Sequence, residues 1–248
     1  MSTGINWFRY SSPQAFYPLA GAMAPWFFAA AALFAAAGLY IGFFVAPTDF
    51  QQGEAYRIIF IHVPAAWMSM FIYLVMAFWA GSGLAFNTRL SAMMASALAP
   101  TGALMTFIAL WSGALWGKPA WGTWWVWDAR LTSELMLLFL YFGFMALQAA
   151  IDDPRRADRA GAVLALVGVV NVPIIYFSVE WWNTLHQGAS LSLTKSPSMA
   201  ASMLAGMLVM AAAFWMYSIA ASLVRVRAIM LERERSADWV KEPGSAPR

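Results

Sequence analysis

The chain has no cysteine, and only two of its 248 residues are histidine. Without cysteine it can form no disulfide, no thiolate metal site and no thiol nucleophile of its own. Charged residues are also scarce: Asp, Glu, Lys and Arg make up 11% of the sequence, against about a quarter in a typical soluble domain. Hydrophobic residues make up 62%. This composition excludes a soluble globular protein and indicates an integral membrane protein.

Six long apolar segments follow one another along the chain. Each is long enough to cross a hydrocarbon core about 30 Å thick as a helix. We therefore predict an all-α integral membrane protein in which residues 1–248 form a single domain of six transmembrane helices. Residues 1–20 are mixed in character and are expected to lie as a short interfacial segment. The predicted spans are 23–45, 62–86, 90–116, 131–151, 160–179 and 199–224.

Several residues near the ends of these spans carry local signals. Pro64 is expected in the first turn of the second span, where its missing N–H costs least. Asp128 is expected to cap the fourth span by accepting free N–H groups. Glu134 is expected in the first turn of that span, paired with Arg130 one turn away. Asn171 is expected to satisfy backbone groups that a proline kink frees in the fifth span.

Lysine and arginine are unevenly divided between the two sides of the membrane. One basic residue lies at the amino end, one in the second connection, three in the fourth connection and six in the segment 225–248. The other three connections hold four basic residues together. Basic residues accumulate on the cytoplasmic side. Both termini are therefore predicted to be cytoplasmic, with 225–248 as a cytoplasmic tail. The first, third and fifth connections, which carry His62, a tryptophan-rich stretch and His186, then face outward.

The third connection holds four tryptophans within seven residues: Trp121, Trp124, Trp125 and Trp127. Neighbouring side chains on a helix point about 100° apart, so these rings cannot all line one helix face. Tryptophan is enriched where apolar and wet regions meet. Such a surface suits a large, flat, apolar ligand with a polar edge. An aromatic belt that anchors the protein in the membrane explains the same composition equally well.

The two histidines and three cations complete a candidate site on that side. His62 and His186 share it with Arg57, Lys118 and Arg130. Haem requires such a set, namely imidazoles for the axial positions of iron, apolar rings against the macrocycle and cations for the propionates. Each histidine taken alone is better explained as an interfacial residue that donates to a backbone carbonyl. Neither lies at mid-span, so haem in the centre of the bilayer is disfavoured.

Two other classes of protein remain open. A membrane enzyme acting on a quinone or polyprenyl lipid would bind rings or isoprene on the tryptophans and use Asp128 and Arg130 for chemistry. Those two residues are equally well explained as a helix cap and an interfacial cation. A purely structural transporter subunit is the third alternative.

Residues 121–132, WGTWWVWDARLT, resemble the WWD signature of the haem-handling proteins of cytochrome c biogenesis, with every signature position filled. Residues 61–66, IHVPAA, are similar to the segment that opens the second span in the cytochrome c maturation protein C (haem exporter protein C) family. The resemblance covers nearly the whole chain, including the position of His186 before the last span. The larger WWD paralogue has many more spans and additional histidines.

This resemblance implies a protein of the bacterial inner membrane that holds haem b, with 117–130 as a periplasmic WWD segment. It implies delivery of haem to the periplasmic chaperone cytochrome c maturation protein E. The other implied partners are ABC-transporter subunits A and B, the small cytochrome c maturation protein D of the membrane and the lipid bilayer. Nucleic acid is not among the implied partners. His62 and His186 match the family's axial ligands. No acid, base or nucleophile constellation stands out, so a haem carrier with lyase-like assistance is expected rather than a conventional enzyme. The implied haem-binding residues are His62, His186, Trp121, Trp124, Trp125, Trp127, Asp128 and Arg130.

The orientation can be tested with reporter fusions. Reporters placed within 152–159 and after Val224 are expected to report the cytoplasm, and one within 117–127 the outside, because of the unequal division of basic residues. Activity of a periplasmic reporter within 152–159 would contradict the predicted orientation and the common side of the two histidines.

Overall fold

The computed structural model describes residues 10–182, 184–186 and 199–241, and within these ranges the regular elements are helices. Six stretches are long and apolar enough to cross a membrane. The predicted all-α membrane protein with six spans is therefore confirmed. The stretches are Pro13–Val45, Glu54–Phe86, Arg89–Trp121, Ala129–Ala150, Pro154–Trp181 and Ala201–Arg233.

Eight α-helices lie in the part of the chain that the structure describes. They are α1 (Pro13–Tyr40), α2 (Ile59–Phe86), α3 (Arg89–Trp121), α4 (Ala129–Ala150), α5 (Pro154–Gly168), α6 (Asn171–Trp181), α7 (Ala201–Arg233) and α8 (Asp238–Lys241). A π-helical turn, Ile41–Val45, extends α1, and a 3-10 turn, Glu54–Ile58, leads into α2.

The first two spans begin earlier than predicted. The helix α1 starts at Pro13, and the Ser12 side chain accepts a hydrogen bond from the Ala15 N–H at 3.4 Å. Residues 13–20, predicted to be interfacial, therefore belong to the helix, while the prediction for residues 1–9 lies outside the described residues. Since α2 starts at Ile59, Pro64 lies in its second turn and not in its first. Hydropathy identifies only the apolar part of a helix that fits the hydrocarbon core of the membrane, whereas the helix itself extends to its capping residue.

Two predicted connections and the predicted tail are shorter than expected for the same reason. The helix α3 runs to Trp121, so the start of the 117–130 segment is helical. The helix α5 begins at Pro154, where the Asp153 side chain accepts from the Arg156 N–H at 2.8 Å. The helix α7 runs to Arg233, so the predicted tail begins as helix, and residues 242–248 lie outside the described residues.

The fifth span consists of two helices, α5 and α6, separated by a turn at 169–170. The predicted interruption near Asn171 is thus present as a break. The side-chain amide of Asn171 does not serve the backbone of its own span. It donates to the carbonyl oxygen of Ser133 on α4 at 2.9 Å. The partner assigned to Asn171 from the sequence was wrong, because it lies on a neighbouring helix.

The helices pack as two long pairs, α2 with α3 and α1 with α7, and α4, α5 and α6 close around the first pair. The main core between α2, α3, α4 and α5 contains fully buried Tyr73 and Tyr141. Tyr141 donates to the carbonyl oxygen of Ser69 at 2.8 Å. A Cβ atom at Gly102 would lie 2.1 Å from Cζ of Tyr141, so only glycine lets α3 approach this ring. The exposed side chains of α1 provide an apolar surface suited to lipid.

Candidate functional site

A cavity, partly open to the exterior, lies where α2 and α4 begin and α3 ends. Both histidines of the chain line this cavity, which brings together residues separated widely in the sequence. Its walls are formed by His62, Ala66, Ala109, Leu110, Gly113, Trp116, Ala120, Trp121, Arg130, Leu131, Glu134 and His186.

His62 is buried in α2 and bonded to α3. Its Nδ1 atom lies 3.1 Å from the carbonyl oxygen of Ala109 and 3.1 Å from Oγ of Ser112. The Ser112 hydroxyl donates its own proton to the carbonyl of Ile108 at 2.5 Å. Because a carbonyl oxygen can only accept, these bonds assign the proton to Nδ1 and leave the lone pair on Nε2. The Nε2 lone pair of His62 is therefore free of these two bonds and available to a metal ion.

The surroundings of His62 are tightly fitted. A Cβ atom at Gly113 would lie 3.0 Å from Cε1 of His62, so the absence of a side chain there makes room for the imidazole. The Trp116 ring meets the His62 ring edge-on, with centroids 5.6 Å apart. The Trp116 indole N–H donates to the side-chain oxygen of Gln52 at 2.7 Å. This bond ties the loop between α1 and α2 to the cavity wall.

His186 lies after α6, and its ring faces the same space. Its centroid is 6.2 Å from that of His62, with the ring planes 31° apart, and 5.9 Å from the Trp121 ring. A metal ion bound between two imidazole nitrogens, at roughly 2 Å from each, would place the two ring centroids about 6 Å apart. The separation of the rings therefore suits one metal ion shared by both imidazoles.

Two charged residues line the cavity from α4. Arg130 donates to the carbonyl oxygen of Ile175 on α6 at 3.3 Å. Glu134 is buried, and Ser69 on α2 donates to it at 2.7 Å. The ion pairs among the described residues do not include the Arg130–Glu134 pair expected from the sequence. The carboxyl group instead bonds to a residue of another helix and forms a polar part of a mostly apolar wall.

The other two cations of the predicted site do not line this cavity. Arg57 bonds to Glu54 and to the carbonyl oxygen of Gly42 and so fastens the end of α1 to the start of α2. Lys118 donates to the carbonyl oxygen of Gly122 at 3.1 Å and lies 5.9 Å from the Trp124 ring. Both residues therefore stabilise the backbone beside the cavity.

Of the four clustered tryptophans, Trp121 lines the cavity as the last residue of α3. Gly122, with φ of 78°, then turns the chain away from the helix. Trp124 and Trp127 are 53% and 77% exposed, and the Trp125 ring meets the Trp127 ring edge-on at 5.4 Å. Residues 122–128 thus form an aromatic surface beside the cavity rather than its wall. Direct ligand contact by Trp124, Trp125 and Trp127 stays a prediction.

Asp128 caps α4, as predicted. Its Oδ1 atom accepts the Leu131 N–H at 2.8 Å. Its Oδ2 atom and the indole nitrogen of Trp125 are buried and have no hydrogen-bond partner among the described residues. Buried polar atoms are rarely left unpaired in folded proteins. These two atoms can therefore serve a bound polar group or water in this segment.

The donor set favours one kind of metal centre over another. In the ranges that the structure describes, no three His, Asp or Glu side chains form a cluster that would hold a metal ion. A bare zinc ion takes three or four protein ligands, whereas haem iron is bound by its macrocycle and takes axial ligands from the protein. Two facing imidazoles in an apolar cavity therefore fit haem better than a free ion.

The fold and the site together define a multi-pass membrane protein with an imidazole-lined cavity at one end of a six-span bundle. The family model described as "Heme exporter protein C" matches residues 6–241. "Heme exporter protein C" of Escherichia coli strain K12 is 48% identical over 231 residues, which cover 93% of each chain. "Heme exporter protein C" of Paracoccus denitrificans is 42% identical over 235 residues, which cover 94% of this chain and 97% of that one. The chain belongs to the heme exporter protein C family, as the sequence signatures indicated, and is a multi-pass protein of the bacterial inner membrane.

Sequence reasoning missed the residues of α3 that hold His62, namely Ala109, Ser112, Gly113 and Trp116. Ser112, Gly113 and Trp116 follow Ala109 by three, four and seven residues, which places all four on one face of a helix. That pattern was readable, but small residues and one tryptophan on a helix face do not indicate which helix lies opposite. Only the packing of α2 on α3 turns this face into the support of a ligand.

The capping role of Asp128 can be separated from a role in the site. Asp128→Ala is expected to lower the free energy of unfolding by about 1 kcal/mol, because the first turn of α4 loses a hydrogen-bond acceptor. Asp153→Ala is a matched control, since Asp153 caps α5 with the same 2.8 Å distance. Thermal unfolding of both variants in detergent measures the effect. If Asp153→Ala lowers the free energy of unfolding and Asp128→Ala leaves it unchanged, the assignment of Asp128 as a cap is contradicted.

Proposed function

We propose that this protein binds haem b in the histidine-lined cavity at the periplasmic face of the membrane and delivers it for c-type cytochrome assembly. The observation that carries the proposal is the pair of imidazoles on the cavity wall, 6.2 Å apart between ring centroids. Family membership supports haem as the cargo, because the relatives bear the name "Heme exporter protein C". The excess of basic residues on the opposite side supports the periplasmic orientation.

His62 and His186 are the proposed axial ligands of the haem iron. The bonds from Nδ1 of His62 to Ala109 and Ser112 favour Nε2 as the ligating atom and hold the ring in place. A ligand that is ordered before binding loses little conformational entropy when it binds. His62 is therefore the proposed primary ligand, and His186 completes the coordination from the connection after α6.

The remaining walls supply contacts to the macrocycle and its substituents. Trp116 and Trp121 offer large apolar rings next to the imidazoles, and aromatic contacts add about 1 kcal/mol each beyond area burial. Arg130 offers a guanidinium group for a propionate. The exposed rings of Trp124 and Trp127 suit contact with a haem edge that projects from the cavity.

Haem would supply the iron and the reactive vinyl groups, and this chain would orient them. The proposed recipient is the periplasmic haem chaperone cytochrome c maturation protein E. The proposed assembly includes ABC-transporter subunits A and B and the small cytochrome c maturation protein D of the membrane. These partners rest on the family resemblance alone.

An absorption spectrum of the detergent-purified protein, with and without reductant, tests the proposed function. A Soret band that disappears in a His62→Gly/His186→Gly double variant is expected. A folded wild-type protein that shows no Soret band after expression with excess haem would contradict haem binding. That outcome would favour an enzyme acting on a quinone or polyprenyl lipid, or a structural subunit.

Single replacements of the two ligands are expected to open one position on the iron. His62→Gly and His186→Gly should each give a five-coordinate or water-bound spectrum, and added imidazole should restore the six-coordinate form, because glycine leaves room for it. Loss of His62 is expected to weaken haem retention more, since its ring is held by two bonds from α3. Spectra of both variants that stay six-coordinate and low-spin without imidazole would contradict the assignment.

The tryptophans are expected to differ in their effects. Trp121→Ala should weaken haem retention by about fivefold, which corresponds to roughly 1 kcal/mol, because Trp121 lines the cavity. Trp127→Ala should have a smaller effect, and Trp26→Ala on α1 is a control of equal exposure, 77%. Haem titration of the three variants provides the comparison. If all four clustered tryptophans are replaced and a folded protein keeps full haem occupancy, the stretch serves only as a membrane belt.

A further inference from the structure

A second cleft lies at the opposite end of the bundle, where α2 and α4 end and α3 and α5 begin. It shares no lining residue with the histidine cavity. Three arginines line it: Arg89 from the start of α3, and Arg155 and Arg159 from α5. The proposed haem site does not account for this cleft.

Asp158, the carboxylate that lines the cleft, and Glu234, which follows α7, are both paired with arginines. Asp158 accepts two hydrogen bonds from Arg233, at 3.0 and 2.9 Å. Glu234 pairs with Arg89 at 2.8 Å. The ion pairs of the described residues include neither Arg155 nor Arg159. The cleft therefore carries two positive charges that the described carboxylates do not neutralise.

The arrangement of these two arginines favours one kind of anion. Arg155 and Arg159 are four residues apart on α5, so their side chains leave the helix on the same face. A guanidinium group donates two parallel hydrogen bonds to a phosphate or carboxylate. Because Arg89 also lines the cleft, the cleft offers several planar donors to one phosphate-sized group.

One wall of the cleft is apolar and belongs to the membrane-spanning helices. Ala80 and Leu84 of α2, Ala95 of α3 and Phe144 of α4 form this wall. A free phosphate ion gains nothing from such a surface. A phospholipid matches both parts, because its acyl chains run along the spans and its phosphate lies at their ends.

We propose that this cleft binds an anionic phospholipid, with Arg155 and Arg159 holding its phosphate and the apolar wall holding its acyl chains. The predicted orientation places the cleft at the cytoplasmic leaflet, whose anionic lipids attract basic groups. A bound lipid would bridge α5 to the turn between α2 and α3. It would therefore stabilise the folded protein by an amount that increases with its affinity and its concentration. This inference does not depend on haem binding.

Thermal unfolding of the lipid-depleted full-length protein in a non-ionic detergent tests the inference. Phosphatidylglycerol is expected to raise the Tm more than phosphatidylcholine or inorganic phosphate. Arg155→Ala/Arg159→Ala should weaken the apparent affinity for phosphatidylglycerol at least tenfold. Arg156→Ala/Arg235→Ala is the matched control, since it removes two exposed arginines that do not line the cleft, and it should leave that affinity unchanged.

Native mass spectrometry of the wild type and the two double variants gives a second readout that does not require a change in Tm. Wild type and control are expected to retain phosphatidylglycerol, and the cleft variant to lose it. An equal effect of inorganic phosphate would indicate a site for a free anion, and an equal effect of phosphatidylcholine would show that lipid charge is not recognised. Equal losses in the control pair would indicate general surface charge. Each of these three results would overturn the inference.

Discussion

Several polar side chains inside this bundle bond to carbonyl oxygens of a neighbouring helix. His62 on α2 bonds to Ala109 on α3, and Asn171 on α6 bonds to Ser133 on α4. A helical carbonyl oxygen already accepts one backbone bond, but it has a second lone pair for a side chain. Because hydrocarbon offers no water to an unpaired polar group, and such a group costs several kcal/mol there, these bonds determine which helix faces meet.

The bond of His62 has two consequences at once. It fixes the contact between α2 and α3, and it leaves Nε2 of the imidazole with its lone pair directed away from Ala109. The same packing is helped by the glycine at position 113, where a Cβ atom would lie only 3.0 Å from Cε1 of the ring. The stability of the helix pair and the chemistry of the cavity therefore depend on the same few atoms.

The helices alternate in direction, so each end of the bundle combines the starts of some helices with the ends of others. The side chains at these two sets of helix termini differ in chemistry. Where α2 and α4 begin, aromatic rings and imidazoles surround an apolar cavity. Where they end, arginines and carboxylates form ion pairs across α3, α5 and α7. The break between α5 and α6 separates the charged start of the fifth span from the aromatic residues at its far end. A ligand at either end thus meets a distinct set of donors.

The sequence by itself determined the number of spans, the cap at Asp128 and the two histidines as candidate ligands. These features follow from local rules, since hydrocarbon thickness sets the length of an apolar segment and a cap bonds to a residue three positions away. Only the tertiary structure decided that Trp121 lines the cavity while Trp127 lies on the surface, and that Glu134 bonds to Ser69. Such contacts join residues of different helices, and no local pattern records which helix will lie alongside another.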